Sequence, residues 1–206
     1  MFDLDGTLID SYAAIAESLN HALTTLGRPA LPADEVRRMV GHGLESLLSD
    51  ALDGRQVEQG VRLFRERYAE VYIRHTRILP EVEQTVRTLA QRGYRMGVAS
   101  NKPARFGRPI LEQLGLAPHL QAILGPDLVE HPKPHPAMVW RLLELLELEP
   151  AQVVYVGDMP VDVETCRNVQ IPCWLVPTGS STLEELERSG GDRVLPLFSD
   201  LLDLLP

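Results

Sequence analysis

The chain opens with Phe2-Asp3-Leu4-Asp5-Gly6-Thr7-Leu8, a stretch that predicts the end of a buried strand followed by a tight turn. Successive strand residues point to opposite faces, so Asp3 and Asp5 project to the same side. Gly6 permits a sharp turn of the backbone, and the hydroxyl of Thr7 can hold that turn in place. The chain therefore starts with a strand whose end carries two acidic groups.

Two carboxylates at one strand end favour a divalent cation, because like charges this close disfavour joint ionisation. Oxygen ligands suit Mg²⁺, which keeps several waters and completes its shell with substrate phosphate. A solvated acidic turn is the alternative interpretation of so short a pattern. The strand itself is short, since only Met1 and Phe2 precede Asp3. Either it starts upstream of this sequence or its edge is frayed.

Composition narrows the classes of function. The 206 residues are 44% hydrophobic and 24% charged, as in a soluble globular protein with one large domain or one domain plus an insertion. The net charge of −9 argues against a nucleic-acid or anionic-membrane partner. No apolar run approaches the roughly 18 residues of a membrane span, and no signal pattern is present. Cys166 and Cys173 predict buried thiols in a reducing cytoplasm.

The pattern along the chain separates a helical block from an alternating one. Residues 11 to 76 predict helices alone, over Tyr12–Leu26, Asp34–Val40, Leu44–Leu52 and Val57–Tyr72, with a flexible break at Gly41-His42-Gly43. From Pro80 onward, helices alternate with predicted strands at residues 94–99, 121–124, 152–156 and 173–176. This alternation predicts a parallel, doubly wound α/β sheet, in which ligands bind at the carboxyl ends of the strands.

Polar residues fall at those strand ends. Ser100-Asn101-Lys102 follows one strand, Gly157-Asp158 follows another with Asp162 four residues on, and Lys133 lies between them in a proline-rich loop. Each has a structural alternative: a helix cap, a loop lysine, a turn residue or an acidic first helical turn. The histidines His42, His131 and His135 are interpreted as loop residues rather than metal ligands.

Together, Asp-x-Asp-Gly-Thr, a strand-end Ser, a Lys and Gly-Asp-x-x-x-Asp resemble, in order, the four motifs of the haloacid dehalogenase-like phosphatases. The resemblance covers essentially the whole chain. It implies a Rossmann-like core of residues 1–11 and 79–206 with an inserted helical cap of residues 12–78. The segments Val40–Gly43, Ser100–Pro103 and Lys133–Pro136 resemble the phosphoglycolate phosphatase branch.

The resemblance implies a Mg²⁺-dependent phosphomonoester hydrolase that acts on a small metabolite such as 2-phosphoglycolate. Asp3 would be the nucleophile that forms an aspartyl-phosphate, and Asp5 the general acid and then the base. Mg²⁺ would be held by the Asp3 side chain, the Asp5 carbonyl and Asp158, with Asp162 in its inner or outer coordination sphere.

The same resemblance implies which groups bind the phosphate. Its oxygens would contact the Ser100 hydroxyl, nearby backbone N–H groups such as that of Asn101, and the Gly6-Thr7 backbone. Lys133 would neutralise Asp3 and the transferring group. With Mg²⁺ it brings three positive charges against four carboxylates. Gly41-His42-Gly43 is the candidate loop that reaches the substrate from the cap, with hinges near residues 10–13 and 76–80.

Alternatives remain open at this point. A pyrophosphatase or a sugar-phosphate mutase would use the same motifs, and a phospho-accepting module such as a signalling receiver would share the acidic pocket and the lysine. Asp5 and the helical insertion of roughly 65 residues favour the enzyme. Met159-Pro160 is compatible with a helix start, and Gln170 stands where a glycine is expected. The protein is expected to be a monomer or a homodimer.

Overall fold

Alternating helices and strands follow a block of four helices in the computed structural model, which describes residues 1–206. The helices are α1 (Tyr12–Thr25), α2 (Ala33–Met39), α3 (Leu44–Ala51), α4 (Gly54–Val71), α5 (Val82–Gln91), α6 (Ala104–Gln113), α7 (Ala137–Leu146), α8 (Pro160–Val169), α9 (Leu183–Ser189) and α10 (Leu201–Leu204). The strands are β1 (Ile9–Asp10), β2 (Arg77–Ile78), β3 (Gly97–Ala99), β4 (Ala122–Leu124), β5 (Tyr155–Gly157), β6 (Cys173–Leu175) and β7 (Arg193–Val194).

The chain divides into two compact units. Unit 1 comprises Met1–Asp10 and Ile78–Pro206, and unit 2 comprises Ser11–Arg77. Unit 1 holds the sheet, and unit 2 holds α1 to α4.

The opening segment, residues 1–3, lies in the middle of a parallel sheet. Phe2 bridges Val98 of β3 on one side and Val156 of β5 on the other, both in parallel register. With the pairs β3–β4, β5–β6 and β6–β7, the order across the sheet is β4, β3, opening segment, β5, β6, β7. This arrangement confirms the predicted parallel α/β sheet. The alternative of a frayed edge is not supported, because neighbours on both sides hydrogen-bond to the segment.

The strands are shorter than predicted, for local reasons. The strand predicted over residues 94–99 is limited to β3, because the Met96 N–H donates to the side-chain Oε1 of Gln121 at 2.6 Å instead of to a neighbouring strand. Gln152, predicted as a strand residue, lies in a 3₁₀ turn over Pro150–Gln152, where its Oε1 accepts from the Glu149 N–H. The predicted strands at 121–124 and 173–176 shorten by one residue each, to β4 and β6.

One hydrophobic core cluster of unit 1 lies between the sheet and helices α7 and α8. Leu142 and Leu146 of α7 pack over Gly97, where an added Cβ would lie 2.9 Å from a methyl of Leu142. Both cysteines are buried and free in this core, as predicted. Helix α8 begins at Pro160, as expected, and ends at Val169. Gln170, its C-cap residue, has the left-handed conformation with φ of 61°. A side chain therefore occupies a position that usually favours glycine.

Unit 2 is built on the packing of α1 against α4 and of α3 against α4. Gly60 of α4 allows this close approach, since an added Cβ would lie 2.5 Å from a methyl of Leu52. Gly41 and Gly43 both have positive φ, of 137° and 92°, and they separate α2 from α3. None of the helices combines the length and apolar character that crossing a lipid bilayer requires.

Candidate active site

Three carboxylates meet at the carboxyl end of the sheet. Asp3 ends the opening segment, Asp158 follows β5, and Asp162 lies in the first turn of α8. One oxygen of each lies within 4.8 Å of the others, and all three residues are buried. The sheet order explains this convergence, because the opening segment and β5 are neighbours whose ends lie at one edge.

Asp158 is held by two hydrogen bonds from other loops. The Thr7 hydroxyl donates to its Oδ1 at 2.8 Å, and the Ser180 N–H donates to its Oδ2 at 3.2 Å. Burial raises the pKa of Asp158 well above its ordinary value, as do the charges of Asp3 and Asp162, against the lowering effect of the two hydrogen bonds. A Cβ on Gly179 would lie only 1.6 Å from Oδ2, so the loop after β6 needs glycine there.

Asp162 organises the turn that precedes α8. Its Oδ2 accepts from the N–H groups of Asp158 and Met159, both at 3.1 Å, and its Oδ1 accepts from Lys133 Nζ at 2.7 Å. Burial raises the pKa of Asp162, against the opposing charge of Lys133. A Cβ on Gly157 would lie 2.3 Å from Oδ2. Since protein donors occupy both of its oxygens, Asp162 fits the outer coordination sphere of a metal better than the inner one.

Lys133 is buried and uses all three of its ammonium protons. Its Nζ donates to Asp162 Oδ1 at 2.7 Å and to the Tyr155 hydroxyl at 2.9 Å, and it lies 3.0 Å from Asp3 Oδ2. Burial alone would lower the pKa of Lys133, but the charges of Asp162 and Asp3 outweigh it and raise the pKa above its ordinary value. The ammonium is therefore a permanent positive charge beside Asp3.

The loop that carries Lys133 is fastened to the loop after β3. The Lys133 N–H donates to Asn101 Oδ1 at 2.9 Å, and Asn101 Nδ2 donates back to the Lys133 carbonyl at 3.1 Å. The Asn101 side chain thus positions Lys133, while a contact from the Asn101 N–H to phosphate stays a prediction. The Lys133–Pro134 peptide bond is cis.

The other residues predicted to bind phosphate or substrate, and the loop histidines, lie in different environments. Ser100 is buried, and its hydroxyl accepts from the Lys102 N–H at 3.3 Å. Gly6 has a φ of 83° and donates to the Ile9 carbonyl, while Thr7 directs its hydroxyl to Asp158. The segment Gly41-His42-Gly43 lies in unit 2. The rings of His131 and His135 lie in an exposed loop with centroids 4.5 Å apart.

Four residues to which sequence analysis gave no role contact the predicted groups: Lys102, Tyr155, Thr178 and Ser180. Tyr155 is fully buried in β5, and its hydroxyl accepts from Lys133 and donates to the Ala99 carbonyl at 2.6 Å. Lys102 Nζ lies 2.8 Å from Asp5 Oδ2. A hydroxyl inside an otherwise apolar strand was a signal that could have identified Tyr155. Lys102 adjoins the predicted site residues Ser100 and Asn101, but nothing in the sequence indicated its contact with Asp5. The loop after β6, with Thr178 and Ser180, follows the strand-end rule that located the other groups.

The residues present fit a magnesium ion. The donor set consists of carboxylate oxygens, which hard divalent cations prefer. Asp158 is a fully buried carboxylate beside two others, and a cation would offset that concentration of negative charge. Asp3 and Asp158 would hold the ion. The charge count made from the sequence omitted Lys102. With both lysines and Mg²⁺, four positive charges face Asp3, Asp5, Asp158 and Asp162.

Comparisons of the sequence and of the structure with known proteins point to the same family. Residues 1–176 match the haloacid dehalogenase-like hydrolase family. A phosphoglycolate phosphatase of Yersinia pseudotuberculosis is 36% identical over 208 residues, covering 98% of this chain and 90% of that protein. One from Aquifex aeolicus is 37% identical, covering 80% of this chain and 77% of that protein. The crystal structure of a predicted phosphoglycolate phosphatase from Haemophilus somnus superimposes with a TM-score of 0.92 at 28% identity, covering 100% of this chain and 96% of that one.

Proposed function

The chain belongs to the haloacid dehalogenase-like hydrolase family, and from this membership we propose that it is a phosphatase that hydrolyses a small phosphate monoester such as 2-phosphoglycolate with the help of Mg²⁺. The observation that carries the proposal is the contact of Lys133 with both Asp3 and Asp162 in a buried site. A phosphate dianion can approach four carboxylates only where fixed positive charges face it. The substrate class is supported by the names of the relatives.

In the first step an Asp3 carboxylate oxygen bonds to phosphorus as the bond between phosphorus and the ester oxygen breaks. Asp5 gives its proton to that ester oxygen, so the leaving group departs as a neutral alcohol. Lys133 stays beside Asp3 Oδ2 and stabilises the negative charge shared between the nucleophile and the phosphoryl group. The product is an aspartyl-phosphate on Asp3.

In the second step a water molecule bonds to phosphorus and gives a proton to Asp5. The bond between phosphorus and Asp3 breaks, and the Asp3 carboxylate and the Asp5 carboxyl are regenerated. A phosphate oxygen would contact the Ser100 hydroxyl. The N–H groups of Gly6 and Thr7 donate to the carbonyls of Ile9 and Leu4, so they are not proposed as phosphate donors. Mg²⁺, when bound to Asp3 and Asp158, supplies positive charge that orients the phosphate.

Unit 2 is proposed as a cap that selects the leaving group, with Gly41-His42-Gly43 as the segment that contacts the substrate. This part of the proposal comes from the resemblance to capped relatives. Substitution of His42 by Ala would then raise KM for the substrate more than it lowers kcat.

The test is release of phosphate from 2-phosphoglycolate, pyrophosphate and a panel of sugar phosphates, each with Mg²⁺ and with EDTA. Metal-dependent turnover of 2-phosphoglycolate is expected, along with its loss in Asp3→Asn and Asp158→Asn. Preferred turnover of pyrophosphate or isomerisation of a sugar phosphate would assign one of the related activities. Stable phosphorylation of Asp3 without turnover would contradict the enzyme and favour a phospho-accepting module.

A further inference from the structure

The backbone around Lys102 is fixed by three separate contacts. Its N–H donates to Ser100 Oγ, and the next loop closes over the segment at Gly125, where an added Cβ would lie 2.5 Å from the Lys102 carbonyl oxygen. Asp127 accepts from the N–H of Ala104 at 2.6 Å. The Lys102 side chain is 6% exposed and that of Asp5 is 12% exposed. The contact between them is therefore part of a built site rather than a surface ion pair.

The distribution of cationic residues sets this contact apart. The chain has 20 lysines and arginines, and only two of them, Lys102 and Lys133, are lysines. The side chains of both are buried at the site, and each faces one carboxylate of the opening motif. Lysine offers a compact charge on a narrow stem, whereas a guanidinium needs a planar, wider space. A compact cation beside Asp5 leaves room for a ligand group.

The position of Lys102 fixes its distance from the leaving group. To protonate the ester oxygen, the Asp5 carboxyl must lie within hydrogen-bond reach of it, about 3 Å. Since Lys102 Nζ is 2.8 Å from Asp5 Oδ2, the ammonium lies no more than about 8 Å from that oxygen even if the other carboxyl oxygen gives the proton. Lys102 therefore lies close enough to the ester oxygen for a group carried on the neighbouring carbon to reach its ammonium.

We propose that Lys102 is a specificity residue that binds a carboxylate carried by the leaving group one carbon away from the ester oxygen. This inference rests on the proposed phosphatase function and narrows it to phosphate esters of 2-hydroxy acids. A carboxylate so close to the ester oxygen would exchange places with Asp5 as the counter-ion of Lys102. A charge-assisted hydrogen bond of this kind discriminates strongly against neutral leaving groups.

The experiment compares two esters that differ in one group, 2-phosphoglycolate and 2-hydroxyethyl phosphate, in which a hydroxymethyl replaces the carboxylate. Lys102→Met is expected to lower kcat/KM for both esters. The fall for 2-phosphoglycolate should be about 10- to 100-fold larger than the fall for 2-hydroxyethyl phosphate, mainly because KM rises. Lys102→Arg, which keeps the positive charge, is expected to retain part of the preference for 2-phosphoglycolate over 2-hydroxyethyl phosphate. Wild-type enzyme is expected to prefer 2-phosphoglycolate by at least about tenfold.

The outcomes separate this inference from the proposal beneath it. An equal fall in kcat/KM for both esters in Lys102→Met would overturn this inference. Lys102 would then act on Asp5 or on the transferring phosphoryl group rather than on the leaving group. Equal kcat/KM values for the two esters in the wild-type enzyme would also overturn it, and that measurement needs no variant to fold. Turnover of other phosphate esters but of neither of these two would overturn this inference alone. Failure of the wild-type enzyme to hydrolyse any phosphate ester of the panel would overturn the phosphatase proposal and this inference with it.

Discussion

Lys133 is the residue whose loss should affect the reaction most, because its ammonium contacts both Asp3 and Asp162. Lys133→Ala is expected to lower kcat by about 100-fold or more, comparable to the loss of a preorganised stabilising donor. Lys133→Arg should not restore activity, since the planar guanidinium does not match three acceptors arranged around one nitrogen. Steady-state kinetics with circular dichroism as a folding control measure both. Turnover within a few-fold of wild type in Lys133→Ala would contradict the assigned role.

Tyr155 provides a second test at single-residue scale. Tyr155→Phe removes one acceptor from the buried Lys133 ammonium and the donor to the Ala99 carbonyl. We expect the free energy of unfolding to fall by about 1–3 kcal/mol, because buried polar groups lose their partners. Urea denaturation measures the change. Tyr94→Phe removes the hydrogen bond from a partly exposed hydroxyl to Pro206 and serves as the matched control. Its expected effect is within about 0.5 kcal/mol, and equal losses would refute the argument.

The sequence alone was sufficient for residues that follow predicted strands. Asp3 and Asp158 could be placed together because parallel strands end at the same edge of a sheet. The contact between Lys102 and Asp5 could not be foreseen, since it depends on the path of the loop after β3, which Gly125 and Asp127 fix from another part of the chain. The assignment of Asn101 likewise needed the position of the Lys133 loop.

At the scale of elements, the loop after β6 positions Asp158. Gly179→Ala would place a methyl on Asp158 Oδ2, so the carboxylate or the loop must move. We expect the concentration of Mg²⁺ that gives half-maximal activity to rise by about tenfold or more, as when a partner of a metal ligand is lost. Gly54→Ala in α4 is the control, because nothing lies within 4 Å of an added Cβ there. An unchanged Mg²⁺ dependence in Gly179→Ala would show that the loop adapts.

Element type was easier to predict than element length. The alternation after Pro80 gave the order of helices and strands, because apolar runs and glycine stops recur at regular intervals. The ends of strands depended on single side chains that compete for backbone groups, such as Gln121 at Met96 and Gln152 at Glu149. The pattern of hydrophobic residues does not show which side chains bind the backbone at a strand end.

For the whole molecule, metal binding should stabilise unit 1. The pKa of Asp158 is raised in the folded state, so its ionisation costs the metal-free protein stability as pH rises above the ordinary range of aspartate. Mg²⁺ at 100 times its Kd should add about 2.7 kcal/mol at neutral pH, and less at pH 5, where protons compete for the ligands.

Thermal unfolding with Mg²⁺ or EDTA measures this increment, and Asp158→Asn should abolish it. Hydrogen exchange should place the added protection in residues 1–10 and 78–206, which hold every proposed ligand. Equal protection of residues 11–77 would show that the stabilisation is not local to the ligands.

The scarcity of lysine makes the reaction centre visible to nuclear magnetic resonance without any substitution. A sample grown with ¹³C-lysine gives signals from two side chains only, one beside the proposed nucleophile and the other beside the proposed acid. Titration with magnesium, phosphate or glycolate would then be followed separately at Lys133 beside Asp3 and at Lys102 beside Asp5.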